Sequence, residues 1–454
     1  MILDILLENK KSDKIAIVYK DIKITYKQLY CTIAHNKQYL QDNIIKKEKI
    51  YLLQADNQLQ FIITFLSLIA CNAWVIPINK AENEISKIIN TTNAYCLTKE
   101  EIEKCSVVRN FSNYELNAID GECCGVYHIS SGSTGVPKLC RRSMQCFHYE
   151  SMSFSKLFKY KEDDKILSLC PLEHSFTFGA AFINALENKV PLFVIDKFRP
   201  HHCLKYVNEN KISILLLVPS MVRIFCMPSI VKKNYDISCL RIPLVGAGPI
   251  TPEIYENFLV NYGVKLKSNF GSSETGCILS RIEDEKIFSV GRPMHFVKIK
   301  VCNEEGKRIY NQEGQLYVKS PGMSLSYFNE KLNTDAEGYF ITNDLVIEDS
   351  EGYVYVKGRK DRIINIGGKK INPREVEESI MNIPEVRDCI VFSKKTSSGE
   401  EIMEAYVEGN NISQLIVLEN LKQTLSTYKI PSIINIVPQI KRNSLGKIKI
   451  DDLK

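Results

Sequence analysis

Ile212-Ser-Ile-Leu-Leu-Leu-Val218 is a nearly continuous aliphatic run. A strand with one face in water alternates apolar and polar residues, whereas an unbroken run is buried on both faces, as in a parallel sheet. The neighbouring sequence repeats the theme. Ile166–Pro171 and Pro191–Ile195 precede it, Leu240–Val245 and Val264–Lys267 follow it, and Pro200–Asn208 between them has helical spacing. Aliphatic strands separated by helices predict an α/β fold, a large N-terminal domain of mainly parallel sheets covered by helices on both faces. Ligands on such sheets sit in loops at the C-terminal ends of strands.

Upstream, Lys14–Thr25 alternates on both sides of Lys20-Asp21 and reads as a hairpin. Thr25-Tyr-Lys-Gln28 is a capping box that starts a helix running to about Leu40. Phe61 to Ile78 carries no charge, but Asn72 and Pro77 interrupt it. It reads as a buried helix from about Asn57 to Cys71, ended by Asn72 in the left-handed conformation and followed by a core strand, rather than as a membrane span. After about Ser289 short strands and turns take over, at Val297–Cys302, Gln315–Lys319 and Tyr353–Val356, which predicts a β-rich subdomain over about 289–360. Gly358-Arg-Lys-Asp-Arg362 is a charged break, Ile363–Ile371 a hairpin, and Asn372-Pro-Arg-Glu375 a helix start. A strand around Asp388–Ser393, another through Val407 and a helix over Gln414–Leu425 complete a small α+β unit. The expected domains are therefore 1–360 and 361–454.

The 454 residues, 44% apolar and 25% charged, have the composition of a water-soluble globular protein. The excess of 59 Lys and Arg over 53 Asp and Glu is small and spread along the chain, which argues against a nucleic-acid partner. Fifteen irregularly spaced cysteines without a zinc pattern read as reduced thiols, and the N-terminus lacks a signal peptide's organisation. The expected location is cytoplasmic.

Chemistry concentrates in Ile129-Ser-Ser-Gly-Ser-Thr-Gly-Val-Pro-Lys138, fed by the apolar Gly125–Ile129. Glycines bring backbone amides close to an anion, hydroxyls donate to phosphate oxygens, and the lysine adds positive charge. Pro137 and Leu139 flank Lys138, so the Walker spacing fails and a P-loop ATPase is disfavoured. In Asn269-Phe-Gly-Ser-Ser-Glu-Thr-Gly276, read as a loop, Phe270 offers a face for a base and Glu274 a carboxylate for magnesium. Tyr339-Phe-Ile-Thr-Asn-Asp344 places an aspartate after a strand, in reach of ribose hydroxyls, and Lys441-Arg-Asn-Ser-Leu-Gly-Lys447 has a glycine ahead of a lysine. Each alone also reads as an ordinary turn or a solvated basic segment.

As an ordered set, Ser130–Lys138, Asn269–Glu274, Asp344, Gly358–Asp361 and Lys447 resemble the adenylate-forming superfamily: acyl- and aryl-CoA synthetases, nonribosomal peptide adenylation domains and beetle luciferases. The resemblance runs from about Ile15 to the end and includes Pro171-Leu-Glu-His174, Gly246-Ala-Gly-Pro249, Val290-Gly-Arg-Pro293 and Gly314–Pro321. It implies that Ser130, Ser131, Gly132, Ser133, Thr134, Gly135 and Lys138 close over the ATP phosphates. Gly246, Ala247, Gly248, Asn269, Phe270, Gly271 and Ser272 lie about the nucleotide, with Ser273 at the α-phosphate and Glu274 holding Mg2+. Asp344 takes the ribose with help from Arg359, and Lys447 bridges the acid and the α-phosphate. Asp361 is the hinge of a mobile C-terminal domain, and Gly367 and Gly368 admit a pantetheine arm. Phe270 stands where tyrosine is usual and Asn343 where glycine is common, in a left-handed turn that asparagine tolerates.

The implied activity is ATP-dependent ligation of a carboxylic acid through an acyl-adenylate, with CoA or carrier-protein phosphopantetheine as acceptor. Amino-acid-activating relatives place an aspartate just after the His174 position. Here His174-Ser-Phe-Thr-Phe-Gly-Ala-Ala carries no carboxylate to pair with an ammonium, so an aryl or fatty acid is expected. His174, Phe176, Phe178, Gly246, Ala247 and Gly271 are the candidate acyl pocket, His174 reading equally as a core histidine. Lys357, Arg359, Lys360, Arg362, Lys369 and Lys370 suit the phosphates of CoA or an acidic acyl carrier protein, and also simple solubility. Rival readings are a stand-alone amino-acid adenylation enzyme, a luciferase-like oxygenase and a non-catalytic sensor of acyl-adenylate or ATP. Oligomeric state stays open.

Overall fold

A computed structural model describes residues 1–46, 50–78, 82–130, 138–366, 369–395 and 401–440. Its internal contacts divide the chain into two compact units, Met1–Ile299 with Val318–Phe340, and Lys300–Tyr317 with Ile341–Lys454.

The first unit is built on two sheets. In the nine-stranded sheet, Lys267–Ser272, Ile242–Val245, Ile214–Leu217, Ile166–Ser168, Leu192–Val194 and Ile15–Tyr19 run parallel in that spatial order, and antiparallel strands close both edges. Alternate residues feed two cores. Ile214, Leu216, Ile166, Leu192 and Ile242 pack with the helices Tyr26–Asn43, Gln58–Ile69 and Met144–Phe158. Leu215, Leu217, Leu167 and Phe193 pack with Pro200–Asn210, Pro219–Phe225 and Pro252–Tyr262. Both faces are therefore covered, which is why Leu192–Val194, Ile214–Leu217 and Ile242–Val245 carry no polar side chain.

In the six-stranded sheet, Ile50–Leu53, Trp74–Pro77, Tyr95–Cys96 and Gly125–Ser130 are parallel, and Lys138–Ser143 returns antiparallel to Gly125–Ser130. Local signals set the boundaries. The Thr25 hydroxyl accepts the Gln28 N–H and the Gln28 side chain returns to the Thr25 N–H. Asn57 caps Gln58–Ile69, and Asn72 beyond it has φ 57°. After Ser175–Thr177 the chain winds as a six-residue π-helix, Phe178–Ile183, before the α-turn Asn184–Glu187.

The second unit holds most of the four-stranded sheet Lys298–Cys302, Gly314–Lys319, Phe340–Glu348 and Val354–Arg359, in that order. It also holds the hairpin Ile364–Ile366 with Lys369–Ile371, the Asn372-capped helix Pro373–Met381, and the helix Gln414–Thr424. Val386–Lys395 and Glu401–Gly409 pair antiparallel, and Ile433–Val437, which periodicity did not reveal, adds a parallel third strand.

Three expectations are corrected. Asn269–Ser272 is strand, not loop: Asn269, Phe270 and Gly271 pair with Ser280, Leu279 and Cys277. Asp344 lies inside the nine-residue strand Phe340–Glu348 rather than after it, because Leu345 to Glu348 continue the ladder with Val354–Gly358. Asn343 is consequently extended within that strand and is not among the residues with positive φ.

Among the described residues no helix is long and apolar enough to cross a membrane, and all fifteen cysteines are free.

Candidate active site

In the first unit, several chemistry-bearing segments leave the C-terminal ends of strands. Ser130 ends Gly125–Ser130 and pairs in register with Lys138, the first residue of the returning strand. Ser131, Gly132, Ser133, Thr134 and Gly135 lie outside the described residues. Ser326–Tyr327 adds to the other side of Lys138–Ser143, with Tyr327 opposite Cys140.

The Ser272–Gly276 turn projects from the edge of the larger sheet. The Thr275 hydroxyl accepts the Ser272 N–H at 3.0 Å, the Ser272 hydroxyl accepts the Thr275 N–H at 3.2 Å, and Gly276 closes the turn at φ 66°. The turn presents Ser273 and Glu274. Glu274 accepts the Tyr327 hydroxyl at Oε1, 3.3 Å, and the Ser324 N–H at its carbonyl, 2.7 Å. Burial and then the Glu274 charge push the Tyr327 phenol well above its ordinary range, so it stays a neutral donor. Lys138 Nζ lies 4.8 Å from the centre of the Tyr327 ring and pairs with Glu330 at 2.6 Å. The buried Cys140 thiol lies beneath, raised by burial first and then by the Glu274 charge. Tyr327, Ser324 and Glu330 were not singled out by spacing. Only the long-range pairing of Ser326–Tyr327 with Lys138–Ser143 brings them here.

Ser175 Oγ lies 3.4 Å from Ser273 Oγ, which ties the segment after His174 to the same turn. His174 is half-buried at the N-cap of Ser175–Thr177 and accepts the Phe178 N–H at its carbonyl, 2.8 Å. Phe176 faces Gly246: a Cβ built on Gly246 would lie 2.6 Å from the ring. Ala247, at φ 60°, and Gly248 are exposed just beyond. Phe178 instead packs edge-on to Phe65 at 5.0 Å and against Phe61, Phe147 and Phe182. Its place is in the aromatic core, where an apolar ring on the inner face of a helix belongs.

His128 joins that core, ring to ring with Phe178 at 5.0 Å, and neither ring nitrogen has a hydrogen-bond partner among the described residues. Burial, then Arg142 and His174, holds it neutral well below the usual histidine range. Asn269 uses its amide to donate to Leu279 O at 3.3 Å, so it supports the hairpin, while Phe270 is half-buried and Gly271 exposed.

In the second unit, Arg359 forks onto Asp361, Nε to Oδ1 at 3.0 Å and Nη2 to Oδ2 at 2.7 Å, and its Nη1 lies 3.5 Å from Asp344 Oδ1. Asn343 donates to Asp361 at 3.2 Å, and Lys360 to Gln315 at 3.0 Å. Gly367, Gly368 and Lys447 lie outside the described residues.

Residues 126–328 match the model of the AMP-binding enzymes. Residues 126–328 form an AMP-binding domain like that of the adenylate-forming superfamily. It is similar to the indoleacetate–CoA ligase of Aromatoleum aromaticum, 26% identical over 72% of this chain and 66% of that one. It is similar also to the vibriobactin-specific 2,3-dihydroxybenzoate-AMP ligase of Vibrio cholerae, 27% identical over 76% of this chain and 65% of that one. These matches thus span just under two thirds of either relative's length. ATP-bound MatB from Rhodopseudomonas palustris shares the fold, with TM-score 0.88 and 19% identity over 100% of this chain and 97% of that one.

The donor set of this AMP-binding domain fits magnesium. Mg2+ is held by one or two carboxylates together with substrate phosphates, not by an all-protein cage. Glu274 is one carboxylate set among hydroxyls, and no cluster of three His, Cys, Asp or Glu able to hold a metal occurs among the described residues.

Proposed function

We propose that the protein is an ATP-dependent carboxylic acid ligase. The acid's carboxylate oxygen attacks the α-phosphorus of ATP, the bond to pyrophosphate breaks, and an acyl-adenylate forms. A thiolate then attacks the acyl carbon and AMP leaves, giving a thioester. The observation that carries this reading is the convergence, within one compact unit, of Ser130, Lys138, Ser273 and Glu274 at neighbouring strand ends, with Tyr327 bonded to the Glu274 carboxylate.

The first step brings two anions together, so its barrier falls when fixed positive charge and oriented donors meet the charge building on phosphorus. Bound magnesium would supply Lewis acidity at the phosphates, with Glu274 as its protein ligand. Ser130 and Lys138, with Ser131 to Gly135, hold the phosphate tail. Phe270 stacks on the adenine, Ser273 donates to the α-phosphate, Asp344 with Arg359 takes the ribose hydroxyls, and Lys447 meets the developing charge. Asp361 is the pivot between the two steps, and Gly367-Gly368 gives room for the thiol arm of CoA or of a carrier protein.

The acid is aryl or fatty rather than an amino acid. Two buried carboxylates in this unit are already engaged: Glu150 is paired with Arg142, and Glu173 is buried with Gln58 donating to both oxygens at 3.3 and 3.2 Å. His174, Phe176 and Gly246 form the wall that reads the acyl group. The two aryl-acid ligases among the similar proteins support this choice. The free cysteines support a reducing, cytoplasmic location.

The test is acid-dependent ATP–pyrophosphate exchange over a panel of aryl, fatty and α-amino acids, with Lys447→Ala beside the parent protein. Exchange with an aryl or fatty acid, lost in the variant, is expected. Preference for an α-amino acid overturns the substrate assignment, and no exchange with any acid overturns the whole reading.

A further inference from the structure

Among the described residues, Arg142 and Glu150 are the ion pair most removed from water, with side chains 0% and 1% exposed and Nη2 2.6 Å from Oε2. Desolvating two charges costs about what their attraction returns, so a gain in stability does not account for such a pair. Their remaining bonds are more informative. Arg142 donates from Nε and Nη2 to the Gly322 carbonyl at 3.0 and 2.6 Å. Glu150 Oε1 accepts the Cys277 N–H at 2.9 Å. The guanidinium also lies 4.1 Å from the centre of the Phe147 ring.

Both backbone partners flank Glu274. Cys277 follows Gly276, where the Ser272–Gly276 turn becomes the return strand. Gly322 lies two residues before Ser324, whose N–H donates to Glu274 O at 2.7 Å and whose hydroxyl donates to Ser273 O at 3.3 Å. Arg142 itself sits on Lys138–Ser143, the strand that begins at the phosphate-loop lysine. The chain keeps space for the pair on two sides. A Cβ on Gly276 would lie 2.6 Å from Arg142 Nη2, and one on Gly179, in the π-helix after the His174 segment, 2.5 Å from Glu150 Oε2.

We propose that Arg142 and Glu150 are a positioning pair for the Glu274 carboxylate, locking the turn that carries it to the strand that starts at Lys138. The pair touches no substrate; it acts through the backbone on either side of Glu274. The proposal rests on the ligase reading, in which Glu274 serves the magnesium–nucleotide complex. Directional bonds suit this task better than apolar packing, because a buried hydrogen-bond network fixes one geometry; here Nε and Nη2 of Arg142 make those bonds, while Nη1 has no partner among the described residues. Outer residues that orient a metal ligand change metal affinity when altered.

The experiment compares the full chain with Glu150→Gln, which keeps volume and an acceptor for Cys277, and Arg142→Lys, which keeps charge without the fork. Calorimetry measures ATP binding with and without MgCl2, melting reports the fold, and pyrophosphate exchange is followed against magnesium. We expect folded variants whose half-saturating magnesium rises about tenfold, with magnesium-free ATP affinity within about twofold of the parent. Arg142→Lys should show the larger shift, since one ammonium does not reproduce two bonds to Gly322. Folded variants with the parent's magnesium dependence overturn the proposal, and so does failure of both to fold, which makes the pair a stability element. A parent without exchange overturns the ligase reading instead, and the calorimetric arm separates that result from this one.

Discussion

Gly276 and Gly263 offer a controlled comparison of what a methyl group costs. Both have φ 66°. Gly263 ends the helix Pro252–Tyr262, its N–H reaches Leu259 O at 2.8 Å, and nothing lies within 4 Å of an added Cβ. Gly263→Ala therefore carries only the left-handed penalty of an L-residue, about 1–2 kcal/mol. Gly276→Ala carries the same penalty and also places a methyl 2.6 Å from Arg142 Nη2 and 2.9 Å from its Cζ. Arg142 cannot retreat without stretching its bonds to Glu150 and Gly322. Overpacking a closed interior adds about 1–3 kcal/mol. The expected total is then about 2–5 kcal/mol for Gly276→Ala against about 1–2 kcal/mol for Gly263→Ala. Urea melting of both variants beside the parent measures the difference. Gly263→Ala should keep full pyrophosphate exchange and Gly276→Ala should lose most of it. Equal destabilisation, to within about 0.5 kcal/mol, would refute the claim that the buried pair occupies the space behind this turn.

Other consequences are open to direct measurement. Glu274→Gln should keep its melting temperature yet lower exchange about 100-fold or more, the several kcal/mol that metal stabilisation of a phosphoryl group supplies; Tyr327→Phe, removing one donor to that carboxylate, should raise the magnesium requirement roughly tenfold without unfolding the chain. His128 is held neutral below its unfolded value of about 6.5 by burial, Arg142 and His174. The folded form therefore binds fewer protons, and stability present above that value is lost as pH falls toward the folded one. Melting of His128→Leu between pH 7.5 and 5 should depend less steeply on pH than the parent, and an unchanged slope would count against the assignment. Glu173 has the opposite sign. Burial raises its carboxyl, so the stability it gives is full below about pH 4.3 and lost as pH rises through the folded value. Glu173→Gln should melt higher than the parent at pH 7 and level with it near pH 4.

Much of the scaffold is legible in local patterns. Ile214–Leu217 and its neighbours read as doubly buried strands because each alternate side chain finds an apolar partner on a different face. The caps at Thr25, Asn57 and Asn372 are local chemistry, and they appear where their residue types predict. Asn269–Ser272 misleads because glycine, serine and asparagine have turn propensity, yet pairing with Cys277–Ser280 extends the strand. Asp344 misleads likewise: an acidic residue reads as a strand end until Val354–Arg359 supplies a ladder that begins at Asp344 and continues to Glu348. Phe176 and Phe178 are indistinguishable by composition, and only the winding of the chain after His174 sends one toward Gly246 and the other into the aromatic core. The bonds Tyr327 to Glu274 and Glu150 to Cys277 join residues 53 and 127 positions apart, beyond any periodicity.

The π-helical stretch Phe178–Ile183 makes the number of residues, more than their identity, a structural variable. Its wider winding holds one residue more than an α-turn would over the same span. Excising a single residue there would let the stretch rewind as α with Asn184–Glu187 kept in place, whereas inserting one more would swing everything as far as Glu187 through about 100°. Asn184 would lose its bond to Ala180 O, and Phe182 would leave the rings of Phe61 and Phe65. Single-residue insertions between Phe178 and Asn188 are therefore expected to be far more disruptive than apolar exchanges within the same stretch.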